Sequence, residues 1–317
     1  MLKFIARRGL LSLLILLFAV TLLFAMIHMM PGDPASVILG PKASPELKAE
    51  LNQRMGLDQP ILVQLGRFYA DLAKGDLGVD VFTDRQVSEI VFEQLPYTIV
   101  LVLVAIGGAT LLGIPLGCFS AIKRNSVLDR LTAVMSVAFI AIPSFVVALY
   151  LLLLLAVKWR WFPAMGAGAS GDIADQARHL VLPAIALGLG WVGYIARLVR
   201  ASMLEVMEEN HIRTARAFGL PERTIIVHYA LRIAVLPTVT ILGMGIGAML
   251  SGALFAEIVF SRPGIGKLLY EAVLTRNYPV VMGSVLVTTT FFVLCTLASD
   301  IINAALDPRL RESEGAS

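Results

Sequence analysis

The chain has 317 residues, 57% of them hydrophobic and 15% charged, with a net charge of +3 and a mean hydropathy of +0.81. A soluble domain carries about a quarter charged residues, so this composition excludes an ordinary soluble enzyme. No basic face is gathered on a soluble surface, which excludes a nucleic-acid-binding protein; what remains is an all-α integral membrane protein.

Spanning a bilayer takes roughly 20 residues of apolar helix. Runs of that kind occupy about 10–30, 95–122, 131–157, 180–200, 236–260 and 281–306. The first follows Lys3, Arg7 and Arg8 but is too long for a signal peptide and lacks a clean small-residue cleavage site. Six spans place both termini on one side. The inner set Lys3, Arg7, Arg8, Lys123, Arg124, Arg130, Arg200, Arg213, Arg216, Arg223, Arg232, Arg309 and Arg311 outnumbers Lys158, Arg160, Arg178, Arg262, Lys267 and Arg276 in the short loops opposite. Both termini are therefore expected in the cytoplasm.

Between the first two spans, residues 31–93 are the only sizeable outer segment, and their acidic residues outnumber the basic ones. Ser44 and Pro45 open one short helix that Gly56 closes, and a second runs from Pro60 to Lys74, ended by Gly75. These predict a cap on the outer face within a single 1–317 domain.

Within the spans, Gly113 and Gly117, and likewise Gly243, Gly247 and Ser251, form small-residue faces for close helix contact, inside the chain or with a second subunit. Gly243, Gly245 and Gly247 resemble half of a dinucleotide fingerprint, but no strand precedes them, so packing is the reading. Cys118 and Cys295 read as packing residues, and Arg197 and Arg200 as a helix anchor that snorkels to the interface. His28 with Met26, Met29 and Met30 is either a soft-ligand path for nickel or, more simply, an interfacial group. Glu257 lines a substrate path or outer gate, or else forms a structural ion pair with Arg262. Asp300 is read as neutralising a nearby base. Catalytic motifs are lacking: Gly266-Lys267 is followed by Leu268, and Ser261 stands where a phosphate loop needs its first glycine.

The polar insert at 201–235 interrupts two apolar runs. Ile212, Ala215 and Gly219 fall on one small-residue face of a short helix, with Arg213 and Arg216 pointing away. Gly219 stops that helix, Pro221 suits the start of another, and Glu222 complements its N-terminal end. The narrow apolar face with basic flanks predicts a helix that lies in another protein's groove.

This segment resembles the cytoplasmic coupling loop of ABC-importer permeases of the dipeptide, oligopeptide and nickel subgroup. It departs from the general loop pattern, keeping Ala215, Gly219 and Leu231. It fits the subgroup's version through Arg213-Thr214-Ala215-Arg216-Ala217, Gly219-Leu220 and His228 to Arg232. Further phrases follow in order along almost the whole chain. They are Pro31-Gly32-Asp33-Pro34, Met55-Gly56-Leu57-Asp58-Gln59-Pro60, Gly75-Asp76-Leu77-Gly78, Leu95-Pro96-Tyr97-Thr98, Glu257-Ile258-Val259-Phe260, Pro263-Gly264-Ile265-Gly266, Tyr278-Pro279 and Asp307-Pro308-Arg309-Leu310-Arg311. The nearest form is the B-type subunit of dipeptide permeases.

The resemblance implies a type I importer permease fold and one half of a transmembrane path for di- or oligopeptides or similar small solutes. It also implies a homologous second permease, two ATPase subunits that hold ATP and Mg, and an extracytoplasmic binding protein, with no cofactor on this chain. In that picture Arg213, Thr214, Ala215, Arg216, Ala217, Gly219 and Leu220 couple to an ATPase, and Glu257, Phe260, Pro263 and Gly264 belong to the substrate path or outer gate. A nickel permease of the same family, a self-sufficient secondary transporter and a membrane scaffold are the alternatives. Scarce mid-membrane charge and the lack of a repeated half weigh against the transporter.

Overall fold

The computed structural model describes residues 2–29, 43–54 and 58–306. Among these the regular elements are helices, apart from an isolated antiparallel bridge between Val79 and Gln86. In chain order they are α1 (Leu2–Met29), α2 (Pro45–Arg54), α3 (Ile61–Ala73), α4 (Val87–Ile122), α5 (Val127–Ala141), α6 (Ser144–Leu151), α7 (Ile173–Met207), α8 (Asn210–Ala217), α9 (Glu222–Thr224), α10 (Leu236–Val259), α11 (Ile265–Leu274) and α12 (Tyr278–Leu306). A π-helical stretch, Leu152–Lys158, continues α6; another, Ile225–Ala230, continues α9 and leads through Leu231–Ala234 to α10. The phrases at 31–34, 55–57 and 307–311, with Met30 and Gly56, lie outside the described residues, as do the side chains of Met26, His28, Met29 and Asp300.

Five helices are long and apolar enough to cross a membrane, and a sixth crossing arises if α5 and α6 count together. The apolar run at 131–157 is not one straight helix: the stretch Val127–Ala141 and the stretch Ser144–Lys158 meet at 98°. Pro143 causes the break, since it has no N–H to continue the ladder of α5 and it disfavours helical backbone at Ile142, whose ψ is 121°.

The chain divides into two compact units, one of residues 98–262 and 294–306, the other of 2–97 and 263–293; α4 and α12 run through both. The first unit is organised on α7. Asp172 caps its start by accepting from the N–H groups of Ala174 and Asp175, both at 3.0 Å. Glycines then bring the neighbouring backbones close. A Cβ at Gly188 would stand 2.8 Å from the Ala105 carbonyl of α4, and one at Gly193 would stand 2.6 Å from that of Ser136 in α5. In α4, a Cβ at Gly113 would meet Ile195 Cβ at 2.8 Å, and one at Gly117 would meet the Ala196 carbonyl at 2.5 Å. The Gly113/Gly117 face is thus spent inside the chain. Gly243 of α10 lies against Ser299 of α12, whereas Ser251 is exposed. Gly117→Val should cost about 1–3 kcal/mol, because the obstacle is backbone and cannot swing aside. The measurement is the fraction of chain still folded in detergent across a heating series; an unshifted midpoint would mean that these helices do not touch there.

In the second unit, Val87, Val91, Ile265, Val280 and Met282 are buried in one cluster with Phe24 of α1. Ser44 Oγ accepts from the Leu47 N–H at 3.3 Å at the start of α2, and Gly75, at φ +80°, follows α3. The loop at 76–86 is tied down through buried Asp80. Its carboxylate accepts from Thr83 Oγ1 at 2.5 Å, from the Phe82 N–H at 3.0 Å and from Asn277 Nδ2. Burial raises the Asp80 pKa, but these donors outweigh burial and hold it below the ordinary carboxylate value. A depressed folded pKa gives stability that is present at neutral pH and lost as pH falls through the folded value. Protease resistance of this loop should therefore persist to about pH 4 and fall only below it. In Asp80→Asn the acid-dependent step should vanish; an unchanged step would assign it to another group.

Candidate functional site

The insert at 201–235 folds within the first unit as a helix, a tight turn and a second helix. Gly219 has φ +74°, the left-handed conformation that ends a helix, and its N–H bonds to the Arg216 carbonyl at 2.9 Å. Leu220 N–H returns to the Ala215 carbonyl at 3.3 Å. Pro221 occupies the N-cap of α9, one place before the expected first turn, and Glu222 begins the helix. Glu222 clamps the turn by accepting from Arg216 Nη2 at 2.7 Å and Arg216 Nε at 3.3 Å. That bonding lowers the Glu222 pKa and raises the Arg216 pKa. Both side chains are about half exposed, so the pair shapes the turn and contributes little stability.

The apolar face of α8 is not free for a partner's groove. Ile212 and Ala215 are 0% and 6% exposed, in one cluster with Val199, Met203 and Val206 of α7 and with Ile225, Ala230 and Ala234 beyond the turn. A narrow apolar stripe shows which side of a helix will be covered, and here the same chain covers it. The surface left open is the opposite one: Arg213, Thr214, Arg216, Ala217 and Gly219 are exposed, Leu220 is half-buried, and Phe218 is 81% exposed at the crest. Phe218 escaped the sequence reading because it lies off the small-residue face. An aromatic placed directly before a left-handed glycine was the available signal.

A second feature fixes where this insert leaves α7. Asp129, 4% exposed near the start of α5, accepts from Arg200 Nε at 2.6 Å and Arg200 Nη2 at 2.9 Å, from Ser120 Oγ at 2.5 Å and from the Asn125 N–H at 2.9 Å. Arg200 is therefore one side of a bidentate ion pair and does not snorkel, because a carboxylate brought in by α5 offers two acceptors that match its guanidinium. Arg197, by contrast, is exposed. The Asp129 cluster ties the end of α4 and the start of α5 to the last turns of α7.

At the far end of α10, Glu257 is 0% exposed and accepts from Thr98 Oγ1 of α4 at 2.6 Å. Its carbonyl accepts the Arg262 N–H at 2.8 Å. Phe260 is buried beside Ala148, Leu182 and Ala186, and its carbonyl accepts the Gly166 N–H at 2.9 Å. Pro263 and Gly264 follow in the other unit, where extended backbone at Gly264 leads into α11. Cys118 is buried and Cys295 is half-buried, both without a disulfide. Among the described residues no three His, Cys, Asp or Glu side chains converge as a metal site would require.

A family described as the binding-protein-dependent transport system inner membrane component matches residues 113–312, and the N-terminal domain of such membrane components matches residues 1–102. The dipeptide transport system permease protein DppB of Alkalihalophilus pseudofirmus is 36% identical over 332 residues, covering 98% of this chain and 100% of that protein. The glutathione transport system permease protein GsiC of Salmonella typhimurium is 35% identical over 311 residues, covering 98% and 99%. DppB of Escherichia coli K12 is 36% identical over 341 residues, covering 99% and 100%. In fold, the chain resembles an inward-facing structure of the MetNI methionine ABC transporter. The TM-score is 0.58 at 18% identity, covering 69% of this chain and 97% of that one.

Proposed function

Because the chain belongs to the binding-protein-dependent transport system inner membrane component family, an ABC-importer permease of the dipeptide type, we propose that it forms half of an inner-membrane path for short peptides. The observation that carries the substrate class is full-length similarity to permeases named for dipeptides and for glutathione, itself a short peptide. The chain is the transport subunit, and we assign ATP and Mg to two separate ATPase subunits, the other half of the path to a homologous permease, and delivery to an extracytoplasmic binding protein.

In this reading both termini and the insert at 201–235 face the cytoplasm, and residues 31–93 cap the outer face. Nucleotide-driven closure of the ATPases moves the surface of Arg213, Thr214, Arg216, Ala217, Phe218 and Gly219. Ala215 and Leu220 work from beneath, seating that surface on the chain's own core. The Asp129–Arg200 pair and the glycine contacts of α7 tie the insert to α4, α5 and α7 within the first unit, so that a push on the insert is carried to those helices together, as rigid-body switching requires. Glu257, near the end of α10, and Phe260, just beyond it, are assigned to the substrate path or outer gate, and so, in the other unit, are Pro263 and Gly264.

The test is ATP-driven uptake of labelled dipeptide by the assembled transporter in proteoliposomes with loaded binding protein outside. Accumulation that needs ATP inside and binding protein outside is expected. Accumulation without either would favour a self-sufficient transporter.

A further inference from the structure

At the 98° break between α5 and α6 the first unit holds a cavity of about 450 Å³. Its walls come from the break itself, from α7 and from α10. Pro143 has no N–H to offer the Phe139 carbonyl four residues earlier, so the helix ladder stops at mid-run. Non-helical backbone at membrane depth persists where it is buried in protein or lines a water-filled cavity. Both Phe139 and Pro143 line this one.

The remaining lining is apolar with a few polar tips. Trp191 and Tyr194 of α7 meet edge to face with ring centroids 5.8 Å apart. The indole is pressed where a Cβ at Gly245 would stand, 2.7 Å from its ring atoms. Small residues at Gly190, Ala248 and Gly252 leave the volume open. Size and lining match a small-molecule pocket, for which roughly 300–1,000 Å³ is usual.

We infer that this cavity is a side-chain subsite on the translocation path, taking the apolar or aromatic side chain of a peptide in transit against Trp191 and Tyr194. The inference rests on the peptide reading above. A lipid tail would fill the same volume, but it has no N–H for the carbonyls at the break, whereas a peptide has. Lack of charge in the lining suits a path that releases its cargo, and helices broken at mid-membrane are where transported solutes are commonly held.

The experiment compares turnover of Ala-Phe and Ala-Ala at saturating loaded binding protein, using the assembled transporter. Ala248→Phe fills the space and should lower the Ala-Phe to Ala-Ala ratio by about tenfold, the scale on which pocket shape discriminates apolar groups. Trp191→Ala removes the aromatic wall and should lower the ratio as well, while Trp191→Phe, which keeps an aromatic ring there, should stay close to the parent. Equal changes for both peptides in all three variants, as expected of a lipid-filled or merely structural cavity, would overturn the subsite alone. A parent that carries neither peptide would overturn the peptide reading and this inference with it.

Discussion

Gly219→Asp is expected to insert and fold like the parent yet lose uptake to background, a fall of at least about a hundredfold, or roughly 2.7 kcal/mol of lost coupling. At φ +74° a side chain is strained, but a Cβ there meets nothing within 4 Å. Asp is among the residues that tolerate left-handed backbone best, so the fold loses only about 1–2 kcal/mol. What changes is the surface. A carboxylate appears beside exposed Phe218, next to the Arg216–Glu222 clamp, where the ATPase is proposed to seat. Membrane-fraction quantification with the uptake assay separates the two effects, and normal uptake by the variant would remove the coupling role from this turn.

Asp129→Ala should destabilise the chain by about 3 kcal/mol. Removing one partner of a buried ion pair costs about 3–5 kcal/mol, and the lower end applies because the Arg200 side chain keeps 30% of its surface open. Ser120 Oγ and the Asn125 N–H lose their acceptor as well. Replacing both charged partners, as in Asp129→Ala with Arg200→Met, should recover part of the loss, since no charge is then left buried. Thermal unfolding in detergent measures all three variants. A double variant as unstable as the single one would mean that Asp129 acts through Ser120 and Asn125, not through Arg200.

How far the sequence reached is clearest in the insert. The turn at Gly219 and Pro221 was legible because local backbone chemistry dictates it. The destination of the stripe at Ile212 and Ala215 was not, because periodicity identifies a face without saying what will cover it. Met203 and Ile225, nine or more residues away on other segments, cover it here. The same limit hid the pairing of Arg200 with Asp129, 71 residues apart, and of Glu257 with Thr98, 159 apart. Pro143 was visible inside an apolar run, but composition alone does not tell a kinked span from a span broken at 98°. Gly113 and Gly117 were recognisable as a contact face, while the choice of α7 as their partner needed the fold.

The most direct test of the coupling account is extraction of the tagged chain in mild detergent with mass spectrometry of what stays bound. It would be done for the parent and for Gly219→Asp combined with Phe218→Ser. A second permease and ATPase subunits are expected with the parent, and selective loss of the ATPases from the double variant. ATPases retained in full by the variant, or a parent that purifies alone and still transports solute in vesicles, would contradict it.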